Sequence, residues 1–342
     1  MSDDRDVIGL RHGAGGRAMR ALIERTLLDP EAWTGERDLG PAAMDDGSAL
    51  WLGDRWLVVT TDSHVVKPIV FAGGNIGRLA AAGTINDLAM MGATRPAGLT
   101  CGLVLEEGLP LATVELIQRS IRETCAEAGT AVVSGDTKVM GHGELDGVVI
   151  NTSGFGFTTR LVTGRGLRPG DEIVVSGEIA DHGLAVMAAR HDLHLEGELR
   201  SDVAPLNRLV EAVLDAAPEG IIALKDPTRG GVASALAELA ARAELSIVVD
   251  HRSVPVSAAA SAAAELLGID PLLVANEGKM IVACRPEVTA AVLDVMRRHP
   301  QGRRAAKIGT VAAGRAGAVV IDTGFGRRLL TEPDGDPLPR IC

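Results

Sequence analysis

Short continuous apolar runs alternate along the chain with stretches in which apolar side chains recur every three to four positions. That alternation is the signature of strands and helices taking turns in α/β and α+β domains. In the first half, strands are predicted over 56–61, 97–105, 131–134 and 147–151, and helices over 76–91 and 112–128. A glycine-rich stretch over 160–170, closed by Pro169-Gly170, interrupts the pattern and predicts a connection between two domains. The same style resumes beyond it, with strands over 172–176, 220–224 and 246–250, helices over 183–190 and 232–243, and further signals to about residue 322. From 327 to 342 there are three prolines and no amphipathic period, which predicts an extended, mobile tail. The division expected is a glycine-rich segment over 1–40, one domain over 41–159, a second over 160–326, and the tail over 327–342 carrying Cys342.

At 342 residues the chain is long enough for two such domains. Acidic residues outnumber basic ones, 45 to 34, and the net charge of −11 repels nucleic acid and anionic membranes. Aromatics are 2 % of residues and tyrosine is absent, so base-stacking platforms are hard to build. The charged Met-Ser-Asp-Asp-Arg-Asp start is followed by no apolar core, and no apolar run reaches the ~18 residues of a membrane span, so a cytoplasmic protein is expected. The four cysteines are scattered without zinc or disulfide spacing. Cys101, Cys125 and Cys284 sit among apolar residues and read as small buried hydrophobes, whereas Cys342 is the last residue of the sequence.

Three strand-like runs end on an aspartate: Val58-Val59-Thr60-Thr61-Asp62, Val132-Val133-Ser134-Gly135-Asp136 and Ile221-Ile222-Ala223-Leu224-Lys225-Asp226. A single such aspartate commonly caps a turn. Together with Asp45-Asp46 and with Asp87, which interrupts an apolar helix, they suggest hard oxygen donors for magnesium and nucleotide phosphates. Three glycine-rich loops, His12-Gly13-Ala14-Gly15-Gly16, Gly73-Gly74-Asn75-Ile76-Gly77 and Asp226-Pro227-Thr228-Arg229-Gly230-Gly231, precede helical patterns and can offer N–H groups to phosphate. None is a Walker A or a dinucleotide fingerprint. Lys138 could neutralise phosphate or orient a reacting group. Glu277, in a tight turn expected between two apolar strands, is either a solvated turn residue or a general base. His64, beside these aspartates, reads as structural.

Taken together, Asp45-Asp46, Thr61-Asp62, Asn86-Asp87-Leu88-Ala89-Met90-Met91-Gly92, Ser134-Gly135-Asp136-Thr137-Lys138-Val139, Lys225-Asp226-Pro227-Thr228-Arg229-Gly230-Gly231 and Asn276-Glu277-Gly278-Lys279 resemble the ATP-binding superfamily of aminoimidazole ribonucleotide synthetase and selenophosphate synthetase. The terminal Pro339-Arg340-Ile341-Cys342 is similar to one branch, the carbamoyl dehydratases that mature nickel-iron hydrogenases. The resemblance runs from His12 to Cys342. It implies a two-domain, PurM-like fold: an N-terminal α/β domain that binds ATP and dimerises through its sheet, then a C-terminal α+β domain.

It further implies that a carbamoyltransferase, HypF, loads Cys342, that ATP dehydrates the S-carboxamide to a thiocyanate, and that a HypC-HypD complex receives the nitrile. By that resemblance Cys342 is the carrier, and Lys138 and Glu277 position and deprotonate the thiocarboxamide. Asp46, Asp62, Gly135, Asp136, Thr137, Asn151 and Asp226 are expected at ATP, and Asp45, Asp46, Asp62, Asp87, Asp136 and Asp226 at magnesium. The alternatives are a nucleotide-switched carrier without catalysis and another ATP-dependent synthetase of the superfamily; a selenophosphate synthetase would carry a reactive cysteine before Cys101.

Overall fold

The computed structural model describes residues 7–13, 16–26, 28, 37–193, 198–331, 341 and 342. In chain order the first half contains α1 (Gly16–Thr26), β1 (Ser48–Trp51), β2 (Trp56–His64), the short ladder of β3 (Val70–Phe71) and β4 (Gly74–Asn75), α2 (Ile76–Met90), β5 (Pro96–Glu106), α3 (Leu111–Ala128), β6 (Val132–Met140) and β7 (Val148–Thr158). The five long strands form one sheet in the order β1-β2-β7-β5-β6. Only β5 and β6 are parallel, and they are the pair that α3 joins as a crossover. Asn75 starts α2 by accepting the Gly77 and Arg78 N–H groups, and Gly129, at φ +79°, ends α3 in the left-handed region. α2 is apolar on nearly every side because it is packed between the sheet and the second domain.

The second half contains β8 (Glu172–Val175), α4 (Asp181–Arg190), α5 (Asn207–Ala216), β9 (Ile221–Lys225), α6 (Gly231–Arg242), β10 (Ser246–Asp250), α7 (Ala258–Leu267), β11 (Ile281–Cys284), α8 (Pro286–Arg298), β12 (Ala306–Ala312), β13 (Ala318–Asp322) and β14 (Arg327–Leu330). Its seven strands run β14-β13-β10-β12-β8-β11-β9. Both faces are covered at its centre, where β11 is apolar and buried throughout and β8 is so after Glu172, while the edge strand β14 is mostly exposed. Ile173, Val175, Ile281 and Ala283 face α6, while Val174, Val282 and Cys284 face α5 and α8. Asn86 of α2 fastens the domains together: its Oδ1 accepts the Leu206 N–H at 2.7 Å and its Nδ2 donates to the Ala204 carbonyl at 3.2 Å.

The strands predicted to stop at residues 61, 134 and 151 continue further. Asp62 pairs with Thr152, and Asp136 with Gly102, inside the ladders. At the far end, Arg327–Leu330 is not tail but the edge strand β14, held by burial of Leu330 and by ion pairs from Arg327 to Asp322 (3.0 Å) and Arg328 to Asp270 (2.8 Å). The extended segment expected beyond it lies, over 332–340, outside the described residues.

Candidate functional site

Strand β2 turns Thr60, Asp62 and His64 toward α2 through its two-residue period, and α2 answers with Gly83 and Asp87. A Cβ on Gly83 would stand 2.9 Å from His64 Nε2, so glycine is what leaves room for the imidazole. Thr60 Oγ1 lies 2.8 Å from Asp87 Oδ2 and 3.0 Å from the Asp46 carbonyl. From the second domain come Asp226, Thr228 and Arg229, in the loop between β9 and α6, and Glu277 ahead of β11. Asn276 pins these two segments together: it is fully buried, accepts the Ala180 N–H at 2.7 Å and donates to the Pro227 and Val274 carbonyls, each at 3.0 Å. Gly231 sits at φ +62°, where a Cβ would meet the Val274 carbonyl at 2.6 Å, so the close approach requires glycine.

These groups line a cavity of about 1120 Å³ between the domains, over which α1 lays Met19 and Ile23. The volume suits a nucleotide-sized ligand. Cys342 also lines it, half-buried, behind an Ile341 that is 2 % exposed. Glu277 is therefore a buried residue, 3 % exposed, and not a solvated turn between two strands.

Burial and mutual repulsion set the charges here. Burial, with Asp46 and Asp62 adding repulsion, pushes Asp226 up to about 7. Burial first, then Asp62, Asp226 and Asp46, drive Asp87 well above the usual carboxylate range, and Glu277 rises for the same reasons through burial, Asp226, Asp202 and Asp62. Glu277 Oε1 has no hydrogen-bond partner among the described residues. Arg229 is held above its ordinary value, chiefly by the charge at Cys342 and then by Asp62, Glu277 and Asp87. Burial keeps His64 below its ordinary value, although Asp62 Oδ2 lies 3.9 Å from Nε2.

At the mouth, cations of the second domain hold the Asp45-Asp46 pair. Arg242 pairs with Asp45 and also donates to the Met44 carbonyl at 2.6 Å. Lys225 sits 2.5 Å from Asp46 and 3.0 Å from Glu238. Burial alone would lower Lys225, but the attraction of Asp46 and Glu238 leaves it firmly protonated.

The arrangement separates the expected residues into two groups. Asp45, Asp46, Asp62, Asp87, Asp226, Glu277 and Cys342 share the cavity. Gly135, Asp136, Thr137 and Lys138 do not: they lie on β6, at the opposite end of the sheet, with Lys138 and Asp136 paired at 3.1 Å and about 70 % exposed. Three strand spacings separate β6 from β2, about 14 Å. Asn151 is exposed on β7, where its Nδ2 donates to the Asp62 carbonyl at 2.9 Å and fixes β2, while its neighbour Ser153 faces the cavity. The Gly73–Gly77 loop is not in the cavity lining; its helix start is already capped by Asn75.

The crowded carboxylates suit a cation electrostatically, yet among the described residues no three acidic, histidine or cysteine side chains converge on one metal position. Magnesium needs only one or two carboxylates when phosphates and water complete its shell, so the donor set fits a magnesium-nucleotide better than a bare ion. Sequence reasoning passed over Arg229, Lys225 and Arg242. The first two stand inside the Lys225–Gly231 motif, a signal that was there to use; nothing local marked Arg242.

Among the described residues no helix is long and apolar enough to cross a membrane. Residues 44–158 match the AIR synthase related protein N-terminal domain family, and 168–322 the corresponding C-terminal domain family. The carbamoyl dehydratase HypE of Azotobacter vinelandii is 45 % identical over 97 % of this chain and 96 % of its own length. That of Escherichia coli K12 is 41 % identical over 98 % and 99 %. Among solved structures, a HypE-HypF complex superposes with a TM-score of 0.83 at 40 % identity, covering 92 % of this chain and all of the matched one. A HypE in complex with ATP gives 0.81 at 40 % identity over 98 % of this chain and all of that one. With both family models matched and relatives above 40 % identical over nearly all of its length, the chain belongs to the carbamoyl dehydratase HypE family.

Proposed function

We propose that the chain uses ATP to dehydrate an S-carboxamide on its own Cys342 to a thiocyanate, releasing ADP and phosphate, and so supplies cyanide for the iron of a nickel-iron hydrogenase. The observation that carries this reading is that Cys342 lines the same cavity as Glu277, Asp226, Asp87 and Asp62. An amide oxygen leaves poorly, so the γ-phosphoryl group is transferred to it. Phosphate then departs with that oxygen as two protons leave nitrogen, and the carbon-nitrogen triple bond forms. A buried Glu277 with raised proton affinity is suited to take a proton from nitrogen. Arg229, drawn to the charge at Cys342, offsets negative charge as it develops. Walls supplied by both domains restrict the access of water that would hydrolyse the activated carbon.

Asp62, Asp87 and Asp226, with Asp46, are the residues suited to a magnesium ion, which would offset the triphosphate charge. Asp45 could join them only by leaving Arg242. The β6 residues fit the reading through a homodimer. β6 is an open edge strand with Val133 57 % and Val139 68 % exposed, a surface that asks for a cover. A second copy would then supply the partner subunit's Lys138, with its Gly135-Asp136-Thr137 backbone, to the cavity. A HypF carbamoyltransferase is the loading partner, as the similar HypE-HypF complex supports, and a HypC-HypD complex the acceptor.

The test is intact-protein mass spectrometry of chain loaded by the carbamoyltransferase and carbamoyl phosphate, before and after magnesium-ATP. A carbamoyl adduct on Cys342 that loses one water supports the reading. An adduct that ATP leaves unchanged makes the chain a carrier, and no adduct makes it a different synthetase.

A further inference from the structure

The peptide immediately before Cys342 is fixed at its side chain by burial of Ile341 and at its carbonyl by a histidine. The Ile341 carbonyl oxygen lies 2.7 Å from His182 Nε2. His182, on α4, is fully buried, and its Nδ1 lies 2.7 Å from Ser201 Oγ. Ser201 Oγ in turn accepts the Val203 N–H at 3.1 Å, and the Ser201 N–H donates to the Ala72 carbonyl at 2.8 Å. Phe71 of β3 meets the imidazole edge-on, with centroids 5.5 Å apart at 87°. The clip is thus built where the β3-β4 turn of the first domain meets the second.

The proton positions follow from what each atom can do. A carbonyl only accepts, so Nε2 carries the hydrogen; Nδ1 then accepts the Ser201 hydroxyl, whose oxygen is free to accept from Val203. Burial holds His182 below its ordinary value, in keeping with this neutral tautomer. Each side-chain polar atom of the relay Val203–Ser201–His182–Ile341 is paired, and the relay ends on the residue next to the reacting sulfur.

We propose that His182 is the positioning residue that clips the Ile341 carbonyl and thereby seats the Cys342 thiol in the cavity for dehydration. The proposal rests on the function assigned above. Added to the burial of Ile341, one hydrogen bond is strong enough to orient the carbonyl and weak enough to release it to a loading partner.

Two readouts test it in the full-length protein. Alkylation of Cys342 by iodoacetamide, followed on the C-terminal peptide, is expected to be about tenfold faster in His182→Ala and close to wild type in His182→Gln, whose amide N–H replaces Nε2–H. In loaded protein at saturating ATP, single-turnover water loss is expected to fall about tenfold in His182→Ala, to recover in His182→Gln, and to leave the KM for ATP unchanged, while loading of Cys342 is no slower than in wild type. Should the alanine variant not fold, His182→Asn, whose shorter amide matches Nδ1 and cannot reach Ile341, replaces it. Equal alkylation in wild type and the alanine or asparagine variant, or a glutamine variant as impaired as either, overturns the proposal. A wild type that never loses water removes the dehydratase reading instead, and alkylation still decides the clip.

Discussion

Asp62 and Asp136 stand in strands of the same sheet, each after a run of small and apolar residues, and they live in opposite surroundings. Asp62 faces α2 and shares the interdomain cavity with Asp87, Asp226 and Glu277. Asp136 stands in solvent on β6, where the hydrogen bond from Lys138 holds its carboxyl below the usual range. The first group contains three carboxyls with raised proton affinity, one of them with an unpartnered oxygen among the described residues; the second is an exposed strand edge carrying an ion pair. A motif of the same residue types becomes chemistry only where burial removes water, and in the dimer proposed above the second group would acquire that setting against another copy of the chain.

Cys342→Ala gives the largest effect expected: no carbamoyl adduct and no water loss, read by intact mass. Glu277→Gln should still load but lose water about 10²-fold more slowly or worse, as loss of a general base does. Lys138→Ala should slow the same step about 10-fold to 100-fold while leaving Tm unchanged, because in one protomer the side chain is 71 % exposed and its ion pair with Asp136 is a surface one. A cavity complete within one chain would instead make Lys138→Ala silent.

The smallest effect is on stability. Asp226, at about 7 in the folded protein against 3.8 ordinarily, binds its proton more tightly when folded. Asp45, at about 6, does the same. Their contribution is therefore present at low pH and is lost as pH rises through 6 to 7, so Tm of the nucleotide-free protein should fall from pH 5 to pH 8. Asp226→Asn should flatten that slope and raise Tm at pH 8 by about 2–4 °C for each kcal/mol recovered.

How far these regions were legible follows from the range of the forces that shape them. β10 was predicted at its observed bounds and α2 to within a residue, because apolar period and length are local properties. β2 and β6 were cut short, since Thr-Asp and Gly-Asp signal turns locally, while the pairing of Asp62 with Thr152 and of Asp136 with Gly102 comes from distant strands. β14 was read as tail because what holds it, Asp322, Asp270 and the pocket around Leu330, lies elsewhere in the chain. The sequence raised Asp62, Asp87, Asp226, Glu277 and Cys342 as candidates. It left His182 unmarked, because a histidine that clips a residue 159 positions away carries no local sign.

The most direct measurement uses mixed dimers in which one copy carries Lys138→Ala and the other Cys342→Ala, co-expressed with different tags, purified through both, loaded and given magnesium-ATP. In such a dimer the loaded Cys342 and the intact Lys138 belong to different copies. If the site is shared, the adduct on the Lys138→Ala copy loses water at close to the wild-type rate, in roughly half of the wild-type number of sites. If that adduct stays intact while wild type reacts, Lys138 serves its own chain and the shared site is wrong.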